Sequence, residues 1–198
     1  SFAGNGLSIA GNTLTVNDFS IAGTLNAGSG TIDINDDLDL TGTGTFTQST
    51  NTVTLAGDLT LASGTTFTKA TAGQTLSFDG TGTITDNNST KQDLGAVVIG
   101  GTSVTQTLGS AVKMTTLAIN EGNTFNLAGY DFSFSSIANV SNQGTFQLQG
   151  AETLTNVEGL DNNSGTVLYS GTGSYSSGLI GGDSYYNLTF NGSGGTWD

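Results

Sequence analysis

Asp33, Asp36, Asp37 and Asp39 are the densest run of ionisable side chains in the chain. Asp33-x-Asn35-x-Asp37 starts like the calcium loop of a helix–loop–helix site, which supplies oxygen ligands from alternate positions. It then departs from that loop. Leu38 stands where glycine is needed, and Gly44 where a bidentate glutamate is needed. A ladder uses these residues better. Asp18, Asp37, Asp58 and Asp131 each precede an apolar residue at the same place in a repeat. If the repeats stack, the first three carboxylates lie along one edge, and like charges so placed repel. Calcium, a hard cation that takes oxygen ligands, would relieve this, with Asp18, Asp37, Asp39 and Asp58 as the candidate ligands. The competing reading is that aspartate favours turns at strand starts and stays solvated.

The rest of the composition removes chemistry. With no Cys and no His there is no zinc site of the usual kind and no thiol or imidazole catalysis. The only cations are Lys69, Lys91 and Lys113, spread widely along a chain of net charge −13. They cannot neutralise a run of phosphates, so nucleic acid is excluded as a partner. No glycine is followed by lysine, as a phosphate-binding loop requires. Two carboxylates suffice for glycoside hydrolysis, but a cleft with binding aromatics must hold the sugar. The single Trp197 stands almost at the end of the sequence, and the one candidate insertion is Asp86 to Asp93. The chain is therefore expected not to be an enzyme.

The elements that position these side chains are short strands. Apolar residues alternate with Thr, Ser, Asn and Asp in runs such as Thr31-Ile32-Asp33-Ile34 and Thr75-Leu76-Ser77-Phe78. This period of two marks half-buried strands, and the glycine-rich segments between them mark turns. No run approaches the ~20 apolar residues of a membrane helix. The strands recur. Leu14, Ile32, Val53 and Leu76 head one series; Phe19, Leu38 and Leu59 a second; Leu25, Phe46 and Phe67 a third, with steps of 21. Phe125, Phe146 and Val167 repeat the same step. Three strands per turn of about 21 residues predict an all-β fold, a parallel β-solenoid (β-helix), over a single domain spanning 1–198. One turn cannot bury its own apolar side chains, but stacked turns build a continuous core. Phe19, Leu38, Leu59, Phe46, Phe67, Phe125 and Phe146 are expected to point inward. An antiparallel sandwich also has short strands at such spacing, but it has no reason to hold one phase over successive steps.

A longer similarity bears on assembly. Val97-Val98-Ile99 parallels Leu188-Thr189-Phe190 at an offset of 91, and Leu117-Ala118-Ile119 parallels Leu7-Ser8-Ile9. The end of the chain thus reads as if it ran into its own beginning. Unpaired strand edges template further pairing, so head-to-tail association of copies, or membership of a longer array, is expected. On the outward positions, Thr45-Phe46-Thr47 and Thr66-Phe67-Thr68 predict threonine ladders, interrupted on one column by Asp33 and ended on another by Asn26.

The units Asp58-Leu59-Thr60-Leu61-Ala62-Ser63-Gly64-Thr65-Thr66-Phe67 and Tyr185-Tyr186-Asn187-Leu188-Thr189-Phe190-Asn191-Gly192 resemble the Gly/Thr/Asn-rich repeats of bacterial surface β-helix proteins, such as autotransporter passengers and filamentous-haemagglutinin-like adhesins. The resemblance implies secretion to the cell surface and a structural or adhesive role, with no catalytic residue. The absence of cysteine and a pI near 4.1 fit bacterial export to the extracellular space. A ligand-binding solenoid is the alternative, for surface glycans or for ice along the threonine ladders. Tyr175, Tyr185, Tyr186 and Trp197 would carry the glycan, unless they stack inside the last turns.

Overall fold

The computed structural model describes all residues except 1, 2, 5, 10, 72, 161–163 and 177. The chain enters with β1 (Leu7–Ser8) and then cycles through triplets. The first three are β2 (Thr13–Val16), β3 (Phe19–Ile21) and β4 (Thr24–Asn26); β5 (Thr31–Ile34), β6 (Leu38–Leu40) and β7 (Thr45–Thr47); and β8 (Val53–Leu55), β9 (Leu59–Leu61) and β10 (Thr66–Thr68). The fourth turn has β11 (Thr75–Phe78) and β12 (Gly82–Asp86) without a third strand. Three full triplets follow: β13 (Ala96–Ile99), β14 (Thr105–Leu108) and β15 (Val112–Met114); β16 (Thr116–Ile119), β17 (Thr124–Asn126) and β18 (Phe132–Asn139); and β19 (Ser141–Asn142), β20 (Thr145–Leu148) and β21 (Leu154–Gly159). The chain closes with β22 (Thr166–Tyr169), β23 (Ser174–Tyr175), β24 (Asn187–Phe190) and β25 (Thr196–Trp197).

Every strand pairs in parallel with its counterpart one turn away, which makes the fold a parallel β-solenoid of about nine turns. One face is a seven-stranded sheet from β2 to β19, and the second a nine-stranded sheet from β3 to β24. The third face is split into sheets of four, three and two strands. At ~4.8 Å per strand the second face runs ~40 Å. The predicted registers are present. Phe46 lies over Phe67, Leu38 over Leu59 and Phe125 over Phe146. All seven residues expected inside are buried in one apolar core. Stacking forces this regularity, because a strand of different phase would turn its apolar side chains to water.

The second face changes column at the fourth turn. Phe19, Leu38, Leu59, Ile84 and Leu108 stack in one file. Beside them Ile21, Leu40 and Leu61 end on the buried Asp86. On the other side a new file opens at Gly82 and continues through Gln106, Phe125, Phe146, Val167 and Leu188. A Cβ at Gly82 would lie 2.4 Å from the Gly57 carbonyl oxygen, so only glycine fits that start.

The long-range similarity does not survive as register. Val97–Ile99 lies on the first face and Leu188–Phe190 on the second; Leu117–Ile119 lies on the first face and Leu7–Ser8 on the third. A run of alternating apolar residues fits any face of a solenoid, so a match in pattern does not fix which face.

Candidate functional site

The acidic edge exists, with a changed membership. Asp18, Asp36 and Asp37 place carboxylate oxygens within 4.8 Å of one another, and this is the only such group among the described residues. Asp36 feels the charges of Asp37 and Asp18 first, then slight burial and Asp58, and its carboxyl is pushed above the usual range. Asp39 is not on this edge. It lies mid-strand on the second face, between Ser20 and Thr60. Asp58 is otherwise engaged: one carboxylate oxygen accepts the Thr83 N–H at 2.7 Å. Asp37 accepts the Asp58 N–H at 2.8 Å, and Asp131 the Thr153 N–H at 2.7 Å. Each of these aspartates bonds the backbone of the next turn. They are staples between turns, which a reading of turn preference and charge alone did not foresee.

Of the four residues read as a calcium edge, only Asp18 and Asp37 belong to the cluster that could share a cation; Asp36 completes it. Three exposed or half-buried carboxylates on one rim suit calcium's oxygen preference but fill at most part of its six to eight positions.

The three lysines are not spread out in space. All meet the segment 87–95, which replaces the missing third strand of the fourth turn and separates β10 from β15. Lys69 Nζ is paired with the Asp93 carboxylate and donates to Thr115 Oγ1 at 2.7 Å. Lys91 Nζ donates to the Asp86 carbonyl at 2.6 Å, and Lys113 bridges Asp93 through the backbone. The signal was present in the sequence, since the lysines are spaced by 22, about one turn. Burial alone would raise the Asp93 carboxyl. Hydrogen bonds from Lys69, Gly95 and Thr115, with the Lys69 charge, outweigh it and hold the group below the usual carboxylate range. Asp86 organises the same segment, accepting from Asn88 N and Nδ2 at 2.9 Å and from Gln92 N at 2.6 Å. The insertion anticipated at Asp86 to Asp93 is thus a folded plug.

The C-terminal aromatics mostly stack within the last turns. Tyr175 and Trp197 are stacked with centroids 5.5 Å apart, and Trp197 Nε1 donates to the Gln149 carbonyl at 3.0 Å. Phe190 packs on both Tyr169 and Trp197. Tyr185 is tied to the Tyr169 hydroxyl at 3.1 Å, and of Tyr175, Tyr185, Tyr186 and Trp197 only Tyr186 is largely exposed. Burial, with the bonded Tyr169 hydroxyl, pushes the Tyr185 phenol far up. The threonine ladders are real but short: Thr24, Thr45 and Thr66 align on the third face, and Asp33 sits between Thr15 and Thr54 on the first.

The chain matches no protein-family model, no curated protein and no solved structure. Its class is therefore set by the fold, a β-solenoid repeat protein. No helix among the described residues is long and apolar enough to cross a membrane.

Proposed function

We propose that the chain is a structural or adhesive rod of the extracellular bacterial surface, whose units stack head to tail in an array or filament. The carrying observation is the second face. Its file of Phe19, Leu38, Leu59, Ile84 and Leu108 is built on the same inward spacing as Leu148, Tyr169 and Phe190 further along. At β24 that spacing meets solvent, with Leu188 37% and Phe190 48% exposed. A further turn of the same geometry covers both side chains and pairs the strand edge. Supporting the surface setting are the absence of cysteine, the acidic composition and the likeness of the repeat units to those of autotransporter-passenger and filamentous-haemagglutinin-like adhesins. The staples and stacked files suit a load-bearing shaft, and no turnover of polysaccharide is expected. A net charge of −13 opposes association of copies, so salt or divalent cations should promote it.

Sedimentation velocity and negative-stain electron microscopy across salt and calcium concentrations test this. Rods that lengthen in steps of ~40 Å, and that shorten to units with Phe190→Asp, are expected. Monomers under every condition would sink the stacking.

A further inference from the structure

We propose that the groove beside β19 and β21 binds a neutral, polyhydroxylated chain, a glycan segment, along the side of the rod. This site is separate from the end-on contact proposed above and does not depend on it.

The groove arises where the first face stops. Its ladder ends at β19, and the following passes described at Ser164 and at 179–184 contain no strand. A concavity of about 900 Å³ remains, at the upper end of the ~300–1,000 Å³ of small-molecule sites. Its floor includes the buried Val140 and Leu160. Its rims carry Asn139, Ser141, Gln143 and Glu158 on one side and Asp183 and Ser184 on the other.

Both rims are shaped by departures from the regular solenoid. The register of β18 against β21 shifts twice, around Ala138 and Asn139, which throws Asn139 outward. Asn139 Nδ2 donates to Glu158 Oε2 at 3.3 Å and holds that carboxylate in place. Asn156, in the same irregular stretch, has φ +60° and is anchored by its Nδ2 on the Phe134 carbonyl at 3.0 Å. Such bulges and left-handed residues re-aim side chains. The opposite rim is pinned from below. Gly181 N–H donates to the Tyr169 hydroxyl at 3.1 Å, and the Tyr185 hydroxyl donates to the Gly182 carbonyl at 2.6 Å. A Cβ on Gly181 would lie 2.4 Å from Leu160 Cδ1, so glycine lets this rim close onto the floor.

The lining selects the ligand class. Two carboxylates repel anionic polymers. Polar rims give an apolar ligand little surface to bury. Among the described residues, Glu158 and Asp183 belong to no group of three or more acidic side chains close enough to share a metal ion. What fits is a neutral ligand with many hydroxyls. Sugar hydroxyls donate to the carboxylates, while the Asn139 and Gln143 amides and the serine hydroxyls exchange bonds with ring and hydroxyl oxygens.

The test is titration of the ¹⁵N-labelled full chain, held as monomer at low salt, with soluble neutral oligosaccharides (gluco-, xylo-, manno-, galacto- and chito-types) and with oligogalacturonate. At least one neutral series should shift amide signals of residues 139–143, 158–160 and 181–184. Glu158→Gln with Asp183→Asn should weaken that binding about tenfold or more, as expected for lost charge-assisted bonds. The Trp197 fluorescence of the double variant should be unchanged, which shows that it is folded. Shifts confined to Tyr186, Leu188 and Phe190 would place the sugar on the open end and overturn the proposal. Binding only of oligogalacturonate, binding indifferent to the double substitution, or no shift with any neutral series would overturn it as well. None of these results bears on whether rods lengthen with salt.

Discussion

The carboxylate of Asp37 accepts the backbone N–H of Asp58, one turn further along the rod, at 2.8 Å. Asp58 then does the same for Thr83 at 2.7 Å. A file of aspartates that reads as mutual repulsion is also a series of charge-assisted bonds between successive turns.

Removing a staple should therefore cost stability. Asp58→Ala is expected to lose about 1–2 kcal/mol, and Asp58→Asn less, because the amide oxygen still accepts from Thr83. Urea denaturation followed by circular dichroism measures both. Equal losses for Ala and Asn would mean that charge, not acceptance of the N–H, is what matters there.

Asp36 behaves in the opposite sense. Its carboxyl is raised by Asp37 and Asp18, so ionising it disfavours the folded state. The penalty is present above its folded pKa and disappears as pH falls below the ordinary value of 3.8. Asp36→Asn should raise the melting temperature at neutral pH and low salt. The gain should shrink in high salt and vanish in acid. Millimolar calcium should give the wild type the same gain if Asp18, Asp36 and Asp37 hold the ion, and calorimetry on Asp37→Asn should then show the heat of binding lost. A wild-type melting temperature indifferent to calcium leaves the edge solvated.

Asp93 gives a second pH signature, of opposite sign. Its carboxyl is depressed, so its stabilising contribution is present above the unfolded pKa and lost as pH falls through the folded one. Asp93→Asn should be less stable than wild type at neutral pH and converge with it in acid. Lys69 is 40% exposed, and solvent screening limits the coupling in a Lys69→Ala/Asp93→Ala cycle to about 0.5–1 kcal/mol. A coupling near zero would reduce the pair to a surface contact.

The buried Gln106 tests the column change. It is fully enclosed between Gly82 and Phe125; its Nε2 donates to the Gly80 carbonyl at 2.7 Å, while Oε1 has no partner among the described residues. Gln106→Glu should cost about 2–4 kcal/mol at neutral pH, since a carboxylate there is unpaired, and should recover in acid once protonated. Gln106→Leu should be close to neutral, because it trades one bond for removal of an unsatisfied acceptor. Chemical denaturation at two pH values checks both.

Phe46 and Phe67 show why the fold was legible. Twenty-one residues apart, they stack because equal turns bring equal positions together, so phase in the sequence is register in the molecule. Leu59 and Ile84 show where this fails. They are 25 residues apart yet still adjacent, because the turn between them is longer and Asp86 ends a neighbouring file. The staples stayed hidden because they depend on rotamers, and turn preference explains an aspartate equally well without them. Gly181, Gly182, Asp183 and Ser184 read as a loop in sequence. Only the bond to Tyr169, from the preceding turn, together with that from the adjoining Tyr185, makes that loop a rim.

The final expectation concerns cooperativity. In a stack each turn touches only its neighbours, so stability passes along the rod by contact. Phe125 sits mid-rod, buried against Phe132 and Phe146. Phe125→Ala should remove about 3–5 kcal/mol by opening a cavity, and that loss falls on one junction. The single Trp197, stacked on Tyr175, reports the C-terminal turns alone, whereas the far-ultraviolet signal reports every strand. In wild type the two probes should unfold together. In Phe125→Ala they should separate, with one half melting before the other. Coincident transitions in the variant would show that the rod folds as one unit, with coupling that one weak junction does not break.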